Sequence, residues 1–228
     1  MKPFFIILLL YTSIAGAQTY EIGILGGASN YIGDVGKENY INPNQPAWGG
    51  IFKWNRSPRH AFRGSFLIGK WQANDQDASD LSRQARGYTF ENNFTELSLG
   101  IEYTFWEFNL HEDKPGLTPY LFSGLNYLRY NALAKQLDNR IVKYARHGTL
   151  AIPMVIGAKI PVSKTFLFAF EAGARYTFTD NLDGSNPQKG LSDEQKRPFG
   201  NLNSDDWYFF SGITITLTFG RKPCYCNF

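Results

Sequence analysis

Three histidines, His60, His111 and His147, are the first residues to weigh for chemistry, because a neutral imidazole can act as a base or a metal ligand. Their spacing matches no metal pattern such as H-x-x-x-H, and they read as surface polar residues. No G-x-S-x-G elbow or P-loop occurs. A Ser–His–Asp set around His147 would have to be assembled by folding, and nothing local supports one. Asp75, Asp77 and Asp80 partly mimic a calcium loop but lack its Gly and terminal Glu, so a solvated loop is the reading. Asn93-Phe94-Thr95 is treated as a chance match to the glycosylation sequon. Glu171 and Arg175 stand two steps apart on one face of an alternating segment, which suits an ion pair inside a barrel better than a proton relay. The expectation is no enzyme, no cofactor and no metal.

The elements that must position these residues follow from the period of the chain. Leu97, Leu99, Ile101, Tyr103 and Phe105 alternate with Glu96, Ser98, Gly100, Glu102 and Thr104, which places the two sets on opposite faces of a strand. The same period runs through Phe166–Phe178 and Trp207–Phe219, and more faintly through Tyr20–Tyr31, Ala47–Trp54, Ala61–Trp71, Pro119–Tyr130 and Thr149–Ile160. With Glu96–Phe105 these make eight strands, each long enough to cross a bilayer at the ~9–11 tilted residues needed. Pro153 falls in mid-strand, where it removes a ladder donor, so a bulge or a strand boundary is expected there. Only the stretch near Ser79–Arg86 suits a short helix.

Ahead of the strands, Lys2, the apolar run Phe4–Tyr11 and the A-x-A site Ala15-Gly16-Ala17 come in the order of a secretory signal, with cleavage leaving Gln18 first. No later run approaches the ~18 apolar residues of a transmembrane helix. Aromatics are 16% of a chain whose mean hydropathy is −0.31, a combination that suits a membrane barrel, where only alternate residues need be apolar. A net charge of +3 is too weak to imply a nucleic-acid partner.

The connections near 32–46, 72–92, 131–148 and 179–206 are long; those at 55–60, 106–118 and 161–165 are shorter. Long extracellular loops, short periplasmic turns and periplasmic termini are the pattern of an outer-membrane barrel. A lipocalin-like barrel would turn its apolar face inward, and aromatic placement decides between the two. Trp54, Phe105, Trp106, Tyr120 and Phe219 gather at one set of strand ends, and Trp48, Trp71, Tyr127, Tyr130, Tyr176 and Trp207 at the other, as two membrane interfaces favour. The other faces carry Glu96, Glu102, Glu171 and Arg175, and an eight-stranded barrel is just wide enough for side chains to fill. The expectation is therefore a signal peptide over 1–17, an OmpA/OmpX-like antiparallel barrel with a plugged interior over 18–219, and a periplasmic tail over 220–228.

That tail, Gly220-Arg221-Lys222-Pro223-Cys224-Tyr225-Cys226-Asn227-Phe228, holds the only two cysteines. An extended backbone sets their Cβ atoms on opposite sides, which disfavours a bond between them. A strained local bridge, free thiols, or an anchor to a periplasmic partner in which Arg221 and Lys222 add charge contacts all stay open.

Several stretches are familiar together: Tyr20-Glu21-Ile22-Gly23 leading to Ser29-Asn30-Tyr31-Ile32-Gly33-Asp34; Lys53-Trp54-Asn55-Arg56-Ser57-Pro58-Arg59; Glu102-Tyr103-Thr104-Phe105-Trp106-Glu107-Phe108-Asn109; Arg175-Tyr176-Thr177-Phe178-Thr179-Asp180-Asn181-Leu182-Asp183; and the cysteine-bearing tail. In this order, over nearly the whole mature chain, they resemble the PorG-type outer-membrane proteins of the type IX secretion system. The resemblance implies a non-enzymatic barrel that contacts a periplasmic ring built from a lipoprotein and its partner subunit, with an inter-chain disulfide from Cys224 or Cys226 as one form of that contact. The other reading is a general OmpA- or OmpX-like barrel that stabilises the membrane or binds ligands through its loops.

Overall fold

The computed structural model describes residues 19–108, 116–135, 141–163, 165–187, 191 and 198–220. Eight strands follow in order: β1 Thr19–Ile32, β2 Gln45–Asn55, β3 His60–Asn74, β4 Thr89–Thr104, β5 Thr118–Lys135, β6 Ile141–Pro161, β7 Phe166–Thr177 and β8 Trp207–Gly220. Each pairs antiparallel with its neighbours, and β8 pairs with β1 from Thr19↔Gly220 to Ile32↔Trp207, so the sheet closes into a barrel. Closure leaves no edge through the barrel wall.

The expected inside–outside assignment holds on the strands that show it most clearly. On β4, Leu97, Leu99 and Ile101 are exposed outward while Glu96, Ser98 and Glu102 are buried inward. On β7, Phe166 and Phe170 face out, and Glu171 and Arg175 face in. The outside is apolar and the inside polar, the reverse of a soluble barrel. The aromatic belts need one correction. Trp48, Phe105, Trp106, Tyr127 and Phe219 are exposed, but Trp71, Tyr120 and Tyr130 are buried inside the barrel and belong to its filling.

Three elements differ from expectation. β4, β5 and β6 run further toward the long-loop end than the alternation suggests, so most of the expected loop over 131–148 is a hairpin of β5 and β6. Pro153 makes no bulge: β6 keeps one register with β7 through Pro153↔Arg175, and its ladder with β5 passes from Ser123↔Met154 to Asn126↔Ala151 with the register unchanged. A missing N–H removes a hydrogen bond and shifts nothing. The irregularity lies between Ala132 and Leu133 on β5 instead. The expected short helix is α1, Leu81–Arg86, started by the Asp80 side chain accepting the Ser82 N–H and ended by Gly87 at φ 60°.

Candidate functional site

Two buried layers fill the barrel, and the first is ionic. Lys53 Nζ lies 2.7 Å from Glu102 Oε2, and Lys159 Nζ donates to Glu102 Oε1 at 3.1 Å. Arg63 grips Glu171 with both terminal nitrogens, Nη2 donating to Oε1 at 3.0 Å and Nη1 lying 2.8 Å from Oε2, while the Tyr120 hydroxyl donates to Oε2 at 3.0 Å. Glu21 accepts from Asn55 and Thr216 and lies 3.9 Å from Lys53. Higher in the barrel Arg175 Nε is 3.7 Å from Glu96 Oε2, which also accepts the Tyr208 hydroxyl at 2.5 Å. Four carboxylates thus face four cations, a balance that buried charge requires, since an uncompensated ion in low dielectric costs several kcal/mol. Above them Trp71 stacks on Phe94 at 4.3 Å, Tyr208 tilts against both, and Phe90, Phe210 and Leu128 complete an apolar layer.

Beyond these two layers, the long-loop end carries a polar cluster, where described residues of β1, of the segment between β3 and β4 and of the segment between β7 and β8 converge. The Tyr31 hydroxyl lies 2.8 Å from Asp183 Oδ2 and 2.5 Å from Asp206 Oδ1, and its oxygen accepts the Asp34 N–H. Tyr31, Asp183 and Asp206 are all buried. A phenol has one proton to give, so one carboxylate receives it and the other carboxyl brings a proton of its own. Burial pushes Asp206 well above the usual carboxylate range and the Asp183 charge adds to this; burial likewise raises Asp183. Asp180 is pushed up to about 7 by burial, then by the charges of Asp34, Asp183 and Asp205, against a lowering hydrogen bond from Asn186. Asp75 behaves in the opposite way. Burial raises it, but Arg86, which donates at 2.6 and 2.8 Å, and the N–H groups of Gly36 and Tyr88 outweigh that and hold it low. Residues 178–187 and 198–206 are tied down by this cluster, by Leu182 packed into the apolar layer, and by Gly184, whose φ of 87° suits glycine.

The structure redistributes the residues singled out by sequence. Glu171 and Arg175 both face the lumen, but the pair expected between them is not the one that forms: Glu171 takes Arg63, and Arg175 lies beside Glu96 and donates to the Gly173 carbonyl. Asp75, Asp77 and Asp80 do not converge, because Asp75 turns in to Arg86 and Asp80 caps α1. Among the described residues no group of three or more metal-ligating side chains is placed to hold an ion. His60 opens β3, with Nδ1 3.2 Å from the Ser57 hydroxyl in the preceding turn, and His147 lies edge-on to Tyr130 and Tyr144. His111 and the tail residues Arg221, Lys222, Cys224 and Cys226 lie outside the described residues. Sequence reasoning missed the lumen cations Lys53, Arg63 and Lys159, although the inward glutamates called for cations on the same face.

No curated protein matches the chain. Solved structures similar to it include the N-terminal β-barrel domain of Pseudomonas aeruginosa OprF, 13% identical, covering 90% of this chain and 98% of that one at a TM-score of 0.46. OprG of the same organism is 9% identical, covering 90% and 97% at 0.49, and Ail of Yersinia pestis is 9% identical, covering 90% and 99% at 0.44. The eight-stranded ring itself is read from this chain's own pairing. A family model described as a domain of unknown function matches residues 2–228, so the chain belongs to the DUF6089 family.

Proposed function

We propose that this chain is a non-enzymatic outer-membrane barrel of the type IX protein secretion machinery, anchoring a periplasmic ring of lipoprotein and partner subunits through its short turns and its tail. One observation carries the membrane part of this reading. Mid-strand residues such as Leu99 and Ile24 stand 63% and 65% exposed on the outer face, while the charges of the inward ionic layer are paired with one another. Only an apolar solvent makes that order stable for a closed barrel. The long-loop end is then extracellular, and the termini, which meet at Thr19↔Gly220, are periplasmic.

The secretion role is supported by the motifs that resemble PorG-type proteins. Loss of cargo secretion on deletion, with the envelope otherwise intact, is the expected result. Weakened envelope integrity with normal secretion would favour a general OmpA- or OmpX-like barrel. The anchor itself is tested at the tail. Cys224→Ser with Cys226→Ser is expected to abolish a reductant-sensitive high-mass band on a non-reducing gel and to weaken secretion. A protein that runs as a monomer without reductant, together with normal secretion by the double variant, contradicts the anchor.

A further inference from the structure

The outer face of β5 and β6 changes character over one step of the ladder. Outward residues on β5 run Leu121, Ser123, Leu125, Tyr127 and then Arg129; on β6 they run Ile156, Met154, Ile152, Leu150 and then Gly148 and Arg146. The register puts Tyr127 opposite Leu97 and Leu150, and Arg129 opposite Thr95 and Gly148. The apolar surface therefore ends at the row Leu97, Tyr127, Leu150, and Arg129 stands in the next outward row, about 7 Å further along the strand. Arg146 is the diagonal neighbour of Arg129 on the same face, with Cβ atoms within roughly 7–8 Å. Lys143 follows beyond the register shift.

All three side chains are exposed, and none has an ion pair or side-chain hydrogen bond among the described residues. Neither β5 nor β6 contains an Asp or Glu. The contrast with β3 and β4 is direct: Lys70, on the outer face near the same border, is neutralised by Glu91 at 2.8 Å. The local shape also keeps Arg129 accessible. Thr95 and Gly148 beside it are small, and the Tyr127 ring lies over Gly148, where any Cβ would strike it. Its hydroxyl is thereby brought into the arginine row.

We propose that this face binds the phosphate groups of an anionic lipid in the extracellular leaflet. Acyl chains would lie along Leu125, Leu150 and Ile152, and the phosphates would meet Arg129, Arg146 and Lys143. A ligand that joins phosphate to acyl chains fits a cationic row laid directly on the end of an apolar surface, and a guanidinium grips phosphate with two parallel hydrogen bonds. This inference rests on the membrane reading given above.

The test uses the full mature chain folded in neutral detergent and titrated with bis-phosphorylated lipid A, with bound lipid followed by native mass spectrometry. Each basic side chain at an anionic membrane surface contributes about fivefold to affinity, so Arg129→Gln, Arg146→Gln and Lys143→Gln together lower it about a hundredfold. Lys70→Gln leaves it unchanged, and lipid A stripped of phosphate binds the natural chain as weakly as it binds the triple variant. Equal affinity for natural chain and triple variant, or indifference to the phosphates, overturns the proposal. Insertion into phosphatidylcholine vesicles is scored separately by a heat-dependent change in gel mobility. A chain that does not insert overturns the membrane reading and this inference with it, whereas insertion without phosphate dependence overturns this inference alone.

Discussion

An arginine taken out of a sealed lumen leaves its partners behind. Arg63 holds Glu171 with two nitrogens and lies 3.8 Å from Glu102. Arg63→Met strands the buried Glu171 carboxylate, while Glu102 keeps Lys53 and Lys159, and the expected loss is about 3–5 kcal/mol. Adding Glu171→Gln removes the stranded charge and is expected to restore part of that loss. Urea unfolding of the vesicle-inserted protein measures both, and equal stability of Arg63→Met and the natural chain would contradict the ionic layer. The Tyr31 cluster makes a different prediction, in pH. Asp180, Asp183 and Asp206 hold protons more tightly in the folded protein than in an unfolded chain. Their support of the loop layer is complete below about pH 4, the value of a free aspartate, and is lost as pH rises through the folded values, which for Asp180 is about 7. Amides over 179–187 and 198–206 are therefore expected to exchange faster at pH 8 than at pH 5 after correction for intrinsic rates. Asp206→Asn, which is neutral at every pH, is expected to shrink that difference. An unchanged pH dependence in the variant would show that Asp206 carries none of it.

At the scale of one strand, β4 passes through two environments. Leu99 faces outward in mid-strand, and Leu99→Arg is expected to cost about 2–4 kcal/mol in a bilayer. Asn93 faces outward beyond the apolar band, and Asn93→Arg is expected to stay within about 0.5 kcal/mol. Similar losses, read from the folded fraction on unboiled gels, would mean that the band does not end where the structure ends it. The same change of environment explains what the sequence hid. Below the border β4 puts Leu97 and Leu99 outside and Glu96 inside; above it Phe90 and Phe94 point in, while Thr89, Glu91 and Asn93 point out. The alternation survives but its polarity inverts, so a reader following apolar residues loses the strand at the border. β5 loses the alternation instead, with Tyr130, Asn131, Ala132, Leu133 and Ala134 buried in succession. The eight strands and the inward glutamates were legible because each is a local pattern. The partners of those glutamates were not, because Arg63 meets Glu171 across the barrel, 108 residues away in the chain. The Tyr31 cluster was hidden for the same reason, although Leu182 amid Asp180, Asn181 and Asp183 was a local sign of burial.

On the scale of the whole molecule, the ionic layer cancels its own charges within the barrel, and apolar side chains face out along the middle of its wall. The intact protein is expected to give a β-rich circular dichroism spectrum in detergent and to change mobility on gels only after boiling, because every strand in the ring is paired on both sides. A largely helical spectrum would refute the fold. The seam between β1 and β8 carries a further consequence. It joins the first described residue, Thr19, to Gly220, so the ring's last joint is made from opposite ends of the chain. Seven strands without β8 would leave two raw edges and an interior open to lipid, and no shorter length of chain is a smaller working version of this one. Folding therefore waits on the final strand. A chain stopped at any codon before residue 207 is expected to be degraded or to aggregate, never to persist as a partial barrel.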